Sequence, residues 1–352
     1  MAIILPMKVS ELGEFGLIEL LSEVVLQGGA EHRILAGIGD DAAAWRGDDH
    51  AVLATIDALV EGVHFAVGSP WWELGWKALA VNLSDIAAMG GTPRYALVAL
   101  CLPGDTEVDS VIQLYRGMAE MANQFNVAVV GGNITSGPVA TITMTVIGRG
   151  QDEGILTRSG AVPGDTVAVT GYLGSSAAGL KMLACGLGFA PETSDYLRRA
   201  HLQPQPRIEQ GQLLVKWGVR AAIDISDGLI ADLGHLCKAS KVGATITVDQ
   251  VPIHPVVRGA FPKEYLDLAL GGGEDYELLF TADRETMGNV KSGLEASAVG
   301  SDCPVTIIGE ISEGEGISFR RKDGQPFHVD RKGWDHFKKG GYGIENSGSC
   351  KT

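Results

Sequence analysis

Helix-length and strand-length apolar patterns alternate along nearly the whole 352-residue chain. One polar, glycine-rich stretch, GRGQDEG at 148–154, interrupts them. Such alternation confines each half to a sheet covered by helices, α/β or α+β. In the first half the pattern predicts an amphipathic helix over 11–27, with Phe15, Ile18, Leu21 and Val25 near helical spacing. A strand over 51–59 follows, then a helix over 73–89 that stops at Gly90-Gly91. Next come a strand over 95–102, a helix over 106–125, and β-branched strands at 128–130 and 141–147. In the second half the pattern predicts a strand at 166–170, helices from Ser175 and over 207–217, and a strand at 221–225. That strand runs into Ser226-Asp227-Gly228 and a helix to Ser240, with further strands near 244–248, 277–281 and 306–311. At roughly 100–200 residues per domain the length suits two domains, expected at 1–150 and 151–339. The Gly/Ser-rich tail 340–352 is expected to be disordered.

Composition excludes several classes. Hydrophobic residues make up 45% and charged residues 20%, the balance of a chain that buries a core. The 43 acidic against 28 basic residues give a net charge of −15, which disfavours nucleic acid, because phosphate backbones are held by basic patches. No apolar run reaches the roughly 18–20 residues of a membrane helix. Residues 1–7 lack a basic start and a cleavage site, so no signal peptide is expected and the location reads as cytoplasmic. The five cysteines are scattered and never spaced Cys-x-x-Cys, so free thiols are expected, with neither disulfides nor a thiolate zinc site.

The chain contains no Gly-Lys pair, so it has no ordinary P-loop. Gly37-x-Gly39-x-x-Ala42 matches a loose dinucleotide pattern, but the loop carries Asp40 and Asp41 where a pyrophosphate needs bare N–H groups. More telling is where the acids fall. Asp57 ends the apolar run VLATI, Asp85 lies within Asn82-Leu83-Ser84-Asp85, and Asp224 and Asp227 flank Ser226. Glu274 and Asp275 follow three glycines. Any one of them is explained by capping: Asp227 can cap the helix from Gly228, and Asp40 can close a turn. As a set they need one cause. Carboxylates converging on a cleft repel unless a hard divalent cation relieves them, and Mg²⁺ prefers oxygen ligands and phosphate company. The combination points to Mg²⁺-assisted phosphoryl transfer.

Six stretches carry a resemblance: GIGDD (37–41), GVHF (62–65), KALAVNLSDIAAMGGTP (77–93), LTRSGAVPGD (156–165), AIDISDGLIADLGH (222–235) and GGGEDYELLF (271–280). Together they resemble the bacterial thiamine-monophosphate kinase family, of the aminoimidazole ribonucleotide synthetase-like superfamily, over about residues 13–337. The resemblance implies a two-domain α/β (α+β) fold. Its N-terminal sheet pairs across a homodimer and its C-terminal α/β domain completes the site. It implies transfer of the γ-phosphate of ATP, as co-substrate, to thiamine monophosphate, with several Mg²⁺ ions. It further implies that Asp41, Thr55, Ile56, Asp57, Asp85, Asn133, Asp224 and Asp227 serve the metal, with Asp57, Asp85 and Arg158 catalytic. Gly131, Gly132, Asn133, Arg158 and Ser226 would meet ATP, with Gly131-Gly132 read as a turn. His64, Glu274 and Trp334 would meet the thiamine phosphate.

Read alone, Arg158 is equally a surface arginine, His64 a packed or capping histidine and Trp334 cover for a core edge. His235, His254 and His336 carry no assigned role, and Lys77 reads as decoration on its helix. Two departures stand out. Gly131-Gly132-Asn133 replaces the family's Gly-Gly-Asp, and Thr55-Ile56-Asp57 replaces Ser-Thr-Asp, leaving Ile56 only its backbone carbonyl. Asn133 keeps open the alternative of a non-catalytic sensor of thiamine phosphates or nucleotides. Another ATP-dependent enzyme of the superfamily is the other alternative.

Overall fold

The computed structural model describes residues 9–26, 33–296 and 303–329. Trp334, His336 and the tail from Gly340 lie outside the described residues. The first half runs α1 (Val9–Leu12), α2 (Glu14–Leu26), β1 (Ile34–Ala36), β2 (Ala43–Arg46), β3 (Ala51–Val60), α3 (Trp71–Ala88), β4 (Thr92–Leu102), α4 (Val108–Gln124), β5 (Ala128–Ser136) and β6 (Thr141–Arg149). The second runs β7 (Thr166–Thr170), α5 (Ser175–Cys185), α6 (Pro191–Leu202), α7 (Ile208–Lys216), β8 (Ala221–Asp224), α8 (Leu229–Ser240) and β9 (Gly243–Thr247). It continues through α9 (Pro255–Ala260), α10 (Tyr265–Gly271), β10 (Leu278–Ala282), α11 (Arg284–Ala296), β11 (Val305–Ser312) and β12 (Gly316–Arg320).

Each half builds a six-stranded sheet, in the orders β1-β2-β3-β6-β4-β5 and β12-β9-β11-β7-β10-β8. Pairing is antiparallel except between β4 and β5 and between β9 and β12. Both halves are therefore α+β in the strict sense. The period-2 alternation of TITMTVIGR explains β6: Ile142, Met144 and Val146 turn into the core and the threonines turn outward. The buried runs AAID and LLFTA explain β8 and β10, which are covered on both faces.

Helix α3 lies between the two sheets. Its Leu79, Leu83 and Ile86 join Ile142 and Met144 of the first sheet, and Ala168, Ala222 and Phe280 of the second, in one apolar cluster. A second cluster fills the other face of the second sheet, beneath α5, α8 and α10. Helices α3 and α4 press together through a reciprocal pair of glycines. A Cβ on Gly75 would stand 1.8 Å from the Leu114 carbonyl oxygen, and one on Gly117 1.8 Å from that of Trp72.

Three expectations need correction. The helix over 11–27 is broken at Gly13, whose φ of +80° lies in the left-handed region. Gly131 and Gly132 form no turn; they lie inside β5, which extends to Ser136 as a parallel edge strand on β4. Gly132 is demanded there by packing, since a Cβ would meet the Val98 carbonyl oxygen at 1.8 Å. Finally, Cys185 is disulfide-bonded, against five expected free thiols, while Cys101, Cys237 and Cys303 are free.

Candidate active site

Five segments deliver acids or their partners to one place. Strand β3 points Thr55 and Asp57 toward α3, and α3 offers Ser84 and Asp85. The loop before β2 supplies Asp40 and Asp41, the C-terminal end of β8 supplies Asp224, and the segment before β7 supplies Arg158. Asp41, Asp85 and Asp224 each present a carboxylate oxygen, and the three oxygens lie within 4.8 Å of one another. The Thr55 hydroxyl donates to Asp85 Oδ2 at 2.5 Å, and the Ser84 hydroxyl to Asp224 Oδ2 at 2.6 Å. Arg158 donates from Nε and Nη2 to Asp41 Oδ1, at 3.2 and 2.7 Å, and its backbone N–H donates to Asp40 Oδ1 at 2.9 Å. The other oxygen of Asp41, Oδ2, is buried and meets no donor among the described residues.

Burial without enough compensating charge moves these acids upward. Asp224 rises to about 8, through burial first and the neighbouring Asp41 next. Asp85 rises well above its ordinary value through burial and then Asp57, Asp224 and Asp41. Burial also raises Asp41 and Asp57, and takes Asp40 to about 6. Among the described residues, Arg158 is the only cation bonded to this group, and it engages Asp41 alone among the three carboxylates.

Asp227 belongs to a second group, with Asp232 and His235. Asp232 Oδ2 accepts N–H bonds from Asp227 at 3.1 Å and Gly228 at 2.9 Å, closing the turn into α8. His235 packs on Phe15 with ring centroids 4.2 Å apart, and burial lowers it to about 4, so it is neutral at physiological pH. The backbone carbonyl of Ser226 accepts the Glu274 N–H at 2.8 Å. The Ile56 side chain is 64% exposed on the sheet face away from α3. Gly131, Gly132 and Asn133 are not brought to the acids. Asn133 pairs with Ala99, Ala99 with Thr143 and Thr143 with Ala58, so β5 stands three strand steps, roughly 14 Å, from β3.

Glu274 anchors another part of the cleft. Its backbone sits at φ +65°, an uncommon conformation for a residue with a Cβ. Its Oε1 lies 2.7 Å from Lys77 Nζ on α3, and its Oε2 lies 3.3 Å from His201 Nδ1 on α6. Burial alone raises this acid, but Lys77 and His201, with help from His64, hold it below its ordinary value. His64 Nδ1 accepts the Val60 N–H at 3.0 Å. Sequence reasoning missed Lys77, His201 and Asp232. The signal for Lys77 was its place in the apolar helix run WKALAVNLSD, seven residues from Ser84 and so on the same face. His201 had no such signal.

The chain matches the AIR synthase related protein, N-terminal domain family over residues 39–150, and the corresponding C-terminal domain family over 162–322. It is 41% identical over 329 residues to the thiamine-monophosphate kinase of Escherichia coli O157:H7, covering 92% of this chain and 98% of that protein. It is 36% identical over 340 residues to the thiamine-monophosphate kinase of Aquifex aeolicus strain VF5, covering 94% and 100%. The chain belongs to the thiamine-monophosphate kinase family. Within that family, the solved structure of AaThiL complexed with AMPPCP and TMP superposes with a TM-score of 0.82 at 36% identity, covering 94% of this chain and 99% of that one. The two-sheet architecture is thus that of a thiamine-monophosphate kinase.

Proposed function

We propose that this protein transfers the γ-phosphoryl group of ATP to thiamine monophosphate, giving ADP and thiamine diphosphate. Family membership supports the reaction, as does the solved AaThiL complex with AMPPCP and TMP. One observation carries its location: the mutually close carboxylate oxygens of Asp41, Asp85 and Asp224, with the buried Asp41 Oδ2 lacking a donor among the described residues. All-oxygen donors of this kind fit Mg²⁺. Asp41, Thr55, Asp57, Asp85 and Asp224 would hold it, and when bound it neutralises and aligns the phosphates.

The residues of the chain do the rest by position. An oxygen of thiamine monophosphate forms the new bond to the γ-phosphorus as the bond to the β–γ bridging oxygen breaks, and ADP leaves with that electron pair. The acceptor phosphate has a second pKa of about 6 and is largely dianionic at neutral pH, so no protein base must remove a proton. Arg158 orients Asp41 through two N–H groups and donates from Nη1 to the Gly39 carbonyl oxygen at 3.4 Å, and the second Nη1 hydrogen could reach a phosphate. Gly131, Gly132, Asn133 and Ser226 remain proposed ATP contacts. His64, Glu274 and Trp334 remain proposed contacts for the acceptor. Asp227 remains a proposed metal ligand, and Ile56 can offer only its carbonyl. Residues 1–150 would carry ATP, Mg²⁺ and the dimer contact, and 151–339 would complete the cleft.

The proposal includes a homodimer. Strand β5 is exposed along its full length, and Ile56, Tyr95 and Leu97 project from the uncovered sheet face. It also includes a cytoplasmic location; among the described residues no helix is long and apolar enough to cross a membrane. Asn133, the one feature favouring a sensor, stands outside the acid group. Incubation with ATP, Mg²⁺ and thiamine monophosphate, followed by chromatography, tests the reading. The expected result is thiamine diphosphate and ADP in equal amounts, and no product across a Mg²⁺ titration overturns it.

A further inference from the structure

We infer that Lys77 and His201 are positioning residues for the acceptor. Together they fix the Glu274 carboxylate, facing the cationic half of a substrate that joins an organic cation to a phosphate. The inference rests on the proposed kinase reading. Its first support is burial. The Lys77 side chain is 3% exposed and that of Glu274 is 24%, so the ammonium stands behind the carboxylate and a ligand in the cleft meets the acid first. Each carboxylate oxygen has two lone pairs, and Lys77 and His201 take one contact on each oxygen, so both retain capacity for a ligand.

The second support is the charge balance. His201 Nδ1 lies 3.3 Å from Glu274 Oε2 and is hydrogen-bonded to the Ser176 hydroxyl at 3.1 Å, which fixes the ring against the carboxylate. Burial and the adjacent Lys77 keep this imidazole neutral, with its pKa lowered to about 3. A neutral imidazole flanks the carboxylate without adding a second positive charge. A protonated one would make the trio net positive and repel a cation.

The third support is spacing. Lys77 and Ser84 are seven residues apart on one face of α3, roughly 10.5 Å along its axis. Ser84 holds Asp224 and Lys77 holds Glu274. One rigid helix therefore sets the separation between the acid group, where phosphate reacts, and Glu274. The 271–277 segment is pinned from its own side. Glu274 and Tyr276 donate their N–H groups to Ser226 and Ile225, and both sit at positive φ, +65° and +51°.

Steady-state kinetics on Lys77→Met, Glu274→Gln and the double variant test this. Lys77→Met is expected to raise KM for thiamine monophosphate about tenfold, with KM for ATP changed less than about twofold. It is expected to add nothing once Glu274→Gln is present. Stripped of Lys77, Glu274 faces His201, His64 and Tyr276 among the described residues, so burial raises it. KM of the single variant should then fall as pH rises from 6 to 8.5. The fall should exceed the one wild type shows from titration of the acceptor phosphate, and that excess should be absent in the double variant, which keeps His64. His201→Phe should raise the same KM while His201→Gln, which keeps a donor, stays near wild type. This pair decides the matter if Lys77→Met does not fold, as judged by its melting temperature. Equal rises in both KM values, additive effects, or His201→Phe matching wild type would overturn the inference. A wild-type protein that makes no thiamine diphosphate would instead overturn the kinase reading beneath it.

Discussion

Helix α3 serves two sets of buried carboxylates that are treated in opposite ways. At Glu274 a lysine ammonium sits 2.7 Å away, and the acid is held below its ordinary pKa. At Asp85 and Asp224 the bonded partners on α3 and β3 are hydroxyls, and both acids are driven up, Asp224 to about 8. The difference separates a finished contact from an open one. A compensated carboxylate keeps its charge without a cation from outside, so Glu274 is ionised and set before any ligand meets it. An uncompensated group relieves its repulsion by holding protons, and under the proposed reading a divalent cation takes their place. Glu277 falls on the finished side. Arg207 meets both of its oxygens and the Thr170 hydroxyl donates to Oε2 at 2.7 Å.

The sharpest way to break this contrast is to remove one partner from a finished pair. Glu277→Ala should cost about 3–5 kcal/mol in urea unfolding, because it strands Arg207 largely buried. Asp85→Asn should do the reverse. It is expected to lower kcat about 10²–10³-fold in the product assay, yet raise the melting temperature of the Mg²⁺-free protein. A fall in that temperature would place Asp85 among the compensated acids.

A smaller effect is expected from pH. Asp224 has a folded pKa of about 8 against an ordinary 3.8, so the folded state binds more protons between those values. Stability of the Mg²⁺-free protein should therefore fall as pH rises from 6 to 8, and saturating Mg²⁺ should flatten the slope. Glu274 has the opposite sign. Its contribution is present above its ordinary value of 4.5 and lost as pH falls through its lowered folded value. Thermal melts with and without chelator check both. The smallest effect on folding is expected at the uncovered sheet face. Leu97→Asp should change unfolding by no more than about 0.5 kcal/mol, since Leu97 is 40% exposed. Under the homodimer proposal it should shift the protein to monomer in sizing experiments.

The order of elements was readable because most strands and helices satisfy a simple period. The run 166–170 agrees with β7, and TITMTVIGR alternates as a strand must. What escaped has physical causes. Gly131-Gly132 resembled a turn because glycine is read as punctuation, whereas Gly132 is there to let two backbones touch. Asp41, Asp85 and Asp224 were readable as acids in the wrong surroundings, because burial contradicts charge locally. Lys77 carried the same local signal, a charge within an apolar helix run, but its partner Glu274 is remote in sequence, and His201 carried none. Asn133 was grouped with the acids through resemblance, and only strand register reveals its distance from β3.

The apolar cluster around α3 has a consequence for synthesis. Leu79, Leu83 and Ile86 are covered from one side by the first sheet and from the other by Phe280 and its neighbours. A ribosome reaches Phe280 about 130 residues after it completes β6, roughly 7–26 s later at about 5–20 residues per second. Until then the flank is covered only in part, by earlier-made residues such as Ala168, Leu214 and Ala222. Expressing the first half alone should therefore yield aggregate that co-expression of the missing portion rescues.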